Sequence, residues 1–332
     1  MTWFETLTGF RELSPQRVRE NIIFDCGVLK SCVNGRIMAC GRLETPSLAE
    51  LRERALSSGH RVGKLSVREV VANVQHLHVD ESNAGSLFQV ASQFNLLEMV
   101  SPNVTPERGV GAYEDDHTQG PACAIAAGSG TIYRNYFAIV NGQTGQSASN
   151  QIDCLADIGE ALGNVDNRLW EMKNGYALAS YSGLSAISNR ILASDEDELD
   201  ELRKLLRIGI QWNTQVTLED SSHTVSQAYC SALPVAYSNH DAQLWEQFAK
   251  LILESSYEAT ICAAILNSRS TGNQRLFLTL LGGGAFGNAA GWIIEGIRRA
   301  LDLYRHFALD VAIVSFGSSK PYVQRLVNRY QD

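Results

Sequence analysis

The sequence predicts an α/β fold built on a mostly parallel sheet, and three observations carry that expectation. Residues 275–281 (RLFLTLL) form a short apolar run of strand character. The stretch from 289 to about 307 then repeats Ile293, Ile297, Leu301 and Tyr304 at helical spacing, and residues 311–315 (VAIVS) read as another strand. Strand, helix, strand in that order implies a parallel pair joined by a right-handed crossover. Residues 87–92 add a further strand. The 332-residue chain is 45% hydrophobic and 19% charged, enough apolar material for a large core.

The first 60 residues hold a short apolar strand at 22–24, a turn at Asn34-Gly35, and a helix from Ser47 to about Leu56. Ser47 and Glu50 are spaced as a capping box for that helix. Residues 63–79 read as a helix or loop followed by a strand. Residues 101–120 (SPNVTPERGVGAYEDDHTQG) are a long loop rich in proline, glycine and carboxylates, and loops of that length inside a compact domain usually serve function. A small-residue helix from 121 to about 129 and a strand at 133–140 follow, then a polar turn or short linker at 141–150. Helical periodicity dominates 151–207. It ends in SDEDELDELRKLLR, where Ser194 is expected to cap a helix whose charges form a solvated face. Residues 225–237 read as strand and 244–266 as a long amphipathic helix, while Glu295 and Arg299 are spaced as a surface pair. The expected organisation is an extension at 1–60 packed on a core at 61–332, with a helical insertion at about 141–245.

Composition excludes several classes. No apolar window is long enough for a transmembrane helix, and the N-terminus lacks a basic-then-apolar signal pattern. The seven cysteines are scattered without a C-x-x-C pair, so neither a disulfide framework nor a zinc site is expected, and reduced thiols in a cytosolic protein are. A formal charge of −8 argues against a general nucleic-acid binder. An anionic ligand would have to be held locally, by backbone amides or a few side chains.

The strongest chemical signal is the loop Gly282-Gly283-Gly284-Ala285-Phe286-Gly287-Asn288 between strand and helix. Glycines allow close backbone approach and positive φ, and the following helix N-terminus favours negative charge, so a diphosphate is the natural occupant. A turn packed for its own sake needs fewer glycines. Gly282, Gly284 and Gly287 also satisfy the G-x-G-x-x-G spacing. A nicotinamide-dependent oxidoreductase, however, wants an acidic residue at the end of the next strand, and that strand here ends Ser315-Phe316-Gly317. The chain also ends 45 residues after Gly287, too soon for the rest of such a domain.

GGGAFGN, the helix after it and VAIVSFG together resemble the second ligand loop of macrodomains, the ADP-ribose-binding family. The resemblance implies a mixed, mostly parallel sheet sandwiched by helices, with Phe286 over the distal ribose and Phe316 near the adenosine half. Plain core packing is the competing reading for both phenylalanines. Gln93-Phe94-Asn95 is similar to the macrodomain strand that ends in Asn and meets the proximal ribose. Gly109-Val110-Gly111, followed by Glu114, Asp115, Asp116 and Thr118, is similar to the glycine-then-carboxylate loop of poly(ADP-ribose) glycohydrolases. The GGG signature of that loop and its paired Gln-Glu-Glu are both absent here. The segments YEDDHTQGPACAIA, TIYRNYF and VSQAYCSALPVAYS resemble the divergent branch typified by the bacterial effector MavL, over roughly residues 60 to 320. That resemblance implies an ADP-ribosylhydrolase whose partners are ADP-ribose and ADP-ribosylated protein, including ADP-ribosylated ubiquitin. It implies no metal and no other cofactor, and a cytoplasmic location or delivery into a host cytosol. It leaves the oligomeric state open.

Cleaving the glycosidic bond of ADP-ribose passes through an oxocarbenium-like state that a carboxylate can serve, by activating water or protonating the leaving group. Asp116 is the first candidate because it heads the D-x-T-Q-G-P run that opens the next helix, with Asp115 and Glu114 behind it. Acids on a solvated loop, one of them a helix cap, are the competing reading. Trp212 to Thr217, then Asp220 and His223, could supply a further wall. A reader that binds ADP-ribose without cutting it would use the same glycine loop, but has no need of three adjacent carboxylates near a dianionic ligand.

Overall fold

The computed structural model describes residues 1–57 and 63–331. At its centre lies a seven-stranded sheet made of β1 (Arg42–Glu44), β2 (Ser66–Val71), β3 (Leu87–Ala91), β4 (Gly209–Gln215), β5 (Thr224–Cys230), β6 (Arg275–Leu278) and β7 (Asp310–Ser315). Across the sheet the order is β1-β4-β5-β3-β6-β7-β2. Every pairing from β5 to β2 is parallel, and the two pairings at the β1 edge are antiparallel. The parallel pair expected around the glycine loop is β6 with β7, joined through the helix Ala290–Leu303.

The inner parallel strands β5, β3, β6 and β7 are buried on both faces, which explains their apolar runs, while β2 at the edge is half-buried. Alternate residues feed opposite cores. Leu276, Leu278, Val311 and Ile313 pack on one side with the helices Leu48–Ser57 and Ala290–Leu303. Phe277, Ala312, Phe88 and Val90 pack on the other with the helix Tyr181–Ala193. The 30-residue helix Ala242–Thr271 contributes to both. A third core joins Phe4, Leu7, Ile22 and Met38 to Ala124, Ile132 and Tyr136 of the helices Gln119–Ala126 and Gly128–Tyr136.

The first 57 residues both cap and extend the molecule. They carry a separate three-stranded sheet (Ile22–Asp25, Val28–Ser31, Ile37–Ala39) and also β1, which pairs with β4. The expected capping box is present: the Glu50 amide donates to Ser47 Oγ at 3.2 Å and the Ser47 amide to Glu50 Oε2 at 2.7 Å.

Several elements differ from the sequence expectation. Residues 63–79 run strand first, then helix (Ser66–Val71, Val74–Val79), because Asn73 caps that helix through the Gln75 amide. Of residues 133–140, the first four end the helix Gly128–Tyr136 and only Ile139–Val140 is strand. Arg134 is buried there, donates to Leu96 O and Thr131 Oγ1, and lies 3.6 Å from the centre of the Tyr229 ring, contacts that outweigh local strand propensity. Within 151–207, Trp170–Lys173 and Tyr176–Ala179 form a hairpin whose turn is Asn174-Gly175. The acidic helix is capped by Asp195 in a box with Glu198, while Ser194 Oγ turns back to Arg190 O. Its charges are not all solvated: Asp200 accepts two hydrogen bonds from Arg52, and Arg203 pairs with Glu196 and Glu254. Glu295 pairs with Lys250, and Arg299 with Glu258, instead of with each other. All seven cysteines are free.

Candidate active site

Ligands of parallel sheets bind beyond the carboxyl ends of the strands, where loops diverge. A cleft of about 550 Å³ opens there. Its walls come from Ser92 and Gln93 after β3, Ala232 after β5, residues 279–286 and Asn288 after β6, and Phe316 after β7.

The loop after β6 is rigid at its base and open at its tip. Gly282 has φ +73°, and a Cβ there would lie 2.4 Å from that of Ala232. Gly287 has φ +72°. The Asn288 amide donates to Gly282 O at 2.9 Å, and its side chain donates to Leu233 O at 2.8 Å, closing the loop on the segment after β5. Phe286 O accepts from the Ala236 amide at 3.0 Å. Between these anchors the amides of Gly284, Ala285 and Phe286 donate to no protein atom among the described residues. Gly284 has ordinary φ and nothing within 4 Å of where its Cβ would stand, so what its missing side chain provides is access. Phe286 stands 5.4 Å from Tyr176 and 5.5 Å from Tyr237, ring centre to ring centre, closing one end of the cleft with aromatic surface.

The three adjacent acids diverge. Glu114 is exposed and accepts from the Trp3 amide at 2.7 Å. Asp115 is exposed. Asp116 alone lines the cleft, where its Oδ1 accepts from the Thr118 amide at 2.9 Å just before the helix Gln119–Ala126. The earlier loop residues Gly109, Val110 and Gly111 do not line the cleft. The Val110 and Gly111 amides donate to the Glu12 carboxylate at 2.9 and 2.6 Å, and Tyr136 Oη adds a third bond at 2.5 Å. The amides expected to hold ligand are therefore filled from within. Burial raises the Glu12 pKa, and these three hydrogen bonds oppose the rise.

Of the other residues singled out in the sequence, Gln93, Thr118, Gly282, Gly283, Gly284, Ala285, Phe286, Asn288 and Phe316 share the cleft. Gly287 is exposed beside it and supplies the turn. Phe94 belongs to the core. Asn95 is buried, accepting from the Leu97 amide and donating to Gln151, so its amide group is used by the fold. Asp220 is almost fully exposed, 3.9 Å from Arg36, on a loop away from the cleft. Among the described residues no group of three His, Cys, Asp or Glu gathers as a metal site, and no helix is long and apolar enough to cross a membrane.

Sequence reasoning missed Glu98, Tyr176, Tyr237 and Lys320, all of which line the cleft. The Asn174-Gly175 dipeptide is a strong hairpin signal and could have brought Tyr176 forward. A lone Glu in Asn-Leu-Leu-Glu-Met carries no signal. Glu98 is 6% exposed, and burial pushes its carboxyl well above the usual carboxylate range. Arg134 opposes that rise and the charge of Asp116 adds to it. Its amide donates to Tyr113 Oη at 2.9 Å.

No family model and no curated protein matches the chain. Solved structures similar to it include poly(ADP-ribose) glycohydrolase from Deinococcus radiodurans in complex with ADP-ribose, 11% identical with a TM-score of 0.45, covering 87% of this chain and 92% of that one. The enzyme of the same name from Thermomonospora curvata is 12% identical with a TM-score of 0.46, covering 95% of each chain. The same enzyme bound to the inhibitor ADP-HPD scores 0.45 at 12% identity, again with 95% of each chain covered. Likeness this distant assigns no activity, which has to be argued from the cleft itself.

Proposed function

We propose that this chain binds ADP-ribose in the cleft and hydrolyses the bond joining it to a protein side chain. The observation that carries the reading is one cleft bearing two chemistries: three unpaired backbone amides in the loop after β6, and the carboxylate of Asp116. The amides suit a diphosphate at the head of the helix Ala290–Leu303. Phe286 and Phe316 give aromatic surface for the ribose and adenosine ends. Asp116, fixed by its bond to the Thr118 amide, takes a proton from the water that attacks the anomeric carbon. The finer reading places the chain in the divergent MavL-type branch, acting on modified protein such as ADP-ribosylated ubiquitin in a cytoplasm. The segments YEDDHTQGPACAIA and VSQAYCSALPVAYS support it.

The test is thermal unfolding with free ADP-ribose, followed by a release assay on ADP-ribosylated protein. Ligand at 100 times its Kd should add about 2.7 kcal/mol of stability. No shift at millimolar ADP-ribose, with a shift from NAD instead, would favour dinucleotide chemistry. Binding without release from Arg-, Ser- or Glu-linked substrates would leave a reader.

A further inference from the structure

We infer that Glu98 is a second catalytic residue of this cleft, the acid that protonates the acceptor atom as the bond to ADP-ribose breaks. The inference rests on the hydrolase reading above. Glu98 lines the cleft beside Asp116 and is 6% exposed, yet neither carboxyl oxygen has a hydrogen-bond partner among the described residues. It forms no salt bridge with Arg134, whose Nη1 is likewise unpartnered. A buried carboxyl left without a donor is costly, and a structural role would be met better by an apolar residue of the same size. The local backbone is nevertheless shaped around it. A Cβ at Gly120, in the first turn of Gln119–Ala126, would lie 2.3 Å from Ala91 O and 2.7 Å from Glu98 Oε2, so the glycine leaves the carboxyl its place. Burial holds the Glu98 carboxyl well above the usual carboxylate range, the direction a general acid needs, and the more exposed Asp116 stands in the same cleft as the second carboxyl group.

The two residues divide one hydrolysis. Water oxygen bonds to the anomeric carbon, and the carbon–acceptor bond breaks with its electron pair left on the acceptor. The proton of Glu98 moves to that atom, and Asp116 takes the proton that water loses. Transfer from Asp116 through solvent to Glu98 restores the starting state.

The experiment compares wild type with Glu98→Gln, a neutral isostere of the protonated acid that should keep the fold, on two substrates. One is ADP-ribosylated protein. The other is an ADP-ribose aryl glycoside whose nitrophenolate departs without protonation. The expected result is a loss of roughly 10²- to 10⁴-fold on the protein and near wild-type turnover of the aryl glycoside. The alkaline fall of the wild-type rate on protein should be absent from the variant. Equal losses on both substrates, or full activity on protein, would overturn the assignment. Calorimetry with free ADP-ribose separates the two failures. A wild type that neither binds ADP-ribose nor turns over either substrate overturns the hydrolase reading itself, whereas an active, ligand-binding wild type confines any failure to Glu98.

Discussion

In the loop after β6, the amides of Gly284, Ala285 and Phe286 donate to no atom of the described residues. In the loop at 109–111, the amides of Val110 and Gly111 are held by the Glu12 carboxylate. Both loops carry glycines, and the sequence points both to ligand, the one after β6 as a diphosphate site and the one at 109–111 by its resemblance to a glycine-then-carboxylate loop. A nest of amides becomes a ligand site only where no anion of the protein's own fills it, and that anion can come from far along the chain, here 98 residues before Val110. The first loop reaches the cleft through its exit, Asp116, and not through its glycines. The Trp3 indole bound to Val110 O at 3.0 Å and the Trp3 amide bound to Glu114 brace that exit from behind.

The largest expected effect tests this division. Asp116→Asn keeps the shape and the oxygen that accepts from the Thr118 amide, which tightens the turn before the helix and is not a helix cap as the sequence suggested, but removes the carboxylate. Turnover of ADP-ribosylated protein should fall by roughly 10²- to 10⁴-fold. ADP-ribose should bind as well or better, since a negative charge near the phosphates is gone. Glu114→Gln and Asp115→Asn should change turnover little, because neither side chain lines the cleft. Near-full activity in Asp116→Asn would break the comparison at its centre.

A second effect concerns the floor of the cleft. His78 is fully buried, its ring 3.8 Å from that of Phe88, a residue of the cleft wall. Its Nδ1 lies 2.8 Å from Val74 O and so carries the proton, leaving Nε2 to accept from Gln227 Nε2 at 3.0 Å. Burial holds its pKa down to about 4. A histidine with a folded pKa below its unfolded value favours the folded state above the unfolded pKa of about 6.5. That stability is lost as the pH falls from about 6.5 towards 4. Denaturant titration should show a loss on the order of 3 kcal/mol across that window. His78→Phe should flatten that slope, and an unchanged slope in the variant would assign the acid sensitivity elsewhere.

The comparison also explains what the sequence could convey. The β6–loop–helix–β7 unit was legible because its signals are local: an apolar strand, consecutive glycines, then helical spacing. Gly282 and Gly287 do sit at positive φ. Gly284 does not, so of the two glycine properties read in the sequence only close backbone approach applies to it. Asp116 could be picked out by its place before a helix. Glu98 could not, because what sets it apart is the absence of a partner after folding. The strand expected at 133–140 shrank to Ile139–Val140 for the converse reason, since Arg134 is drawn inward by partners distant in sequence, Leu96 and Tyr229. The capping oxygen shifted by one residue, from Ser194 to Asp195, because either side chain can cap a helix and only the chain path decides which one does.

A third, smaller effect separates stability from binding at the first loop. Gly109 has φ +89°, and a Cβ there would lie 2.6 Å from the Glu12 carboxyl. Gly109→Val should therefore cost about 2 kcal/mol, through backbone strain and a displaced Glu12 clasp. The affinity of the remaining folded protein for ADP-ribose should be unchanged, since these amides do not face the cleft. Weakened binding with unchanged stability would show that the loop reaches the ligand after all.

Gly284→Val is the mirror experiment, and its expected effect is the smallest. The backbone at 284 lies in a region open to any residue, and its Cβ would meet nothing within 4 Å. Melting temperature without ligand should stay at the wild-type value. The added isopropyl group would stand over the free amides of Gly284, Ala285 and Phe286, where a diphosphate must approach. ADP-ribose affinity should drop about tenfold, or about 1.4 kcal/mol. Turnover at saturating substrate should fall less than in Asp116→Asn, because the acid wall is untouched. Read with Gly109→Val, the outcome is a crossed pair: one glycine whose loss costs stability and spares binding, the other the reverse. If Gly284→Val bound ADP-ribose normally, the free amides would not be the phosphate site, and the ligand would have to be held by the aromatic ends of the cleft alone.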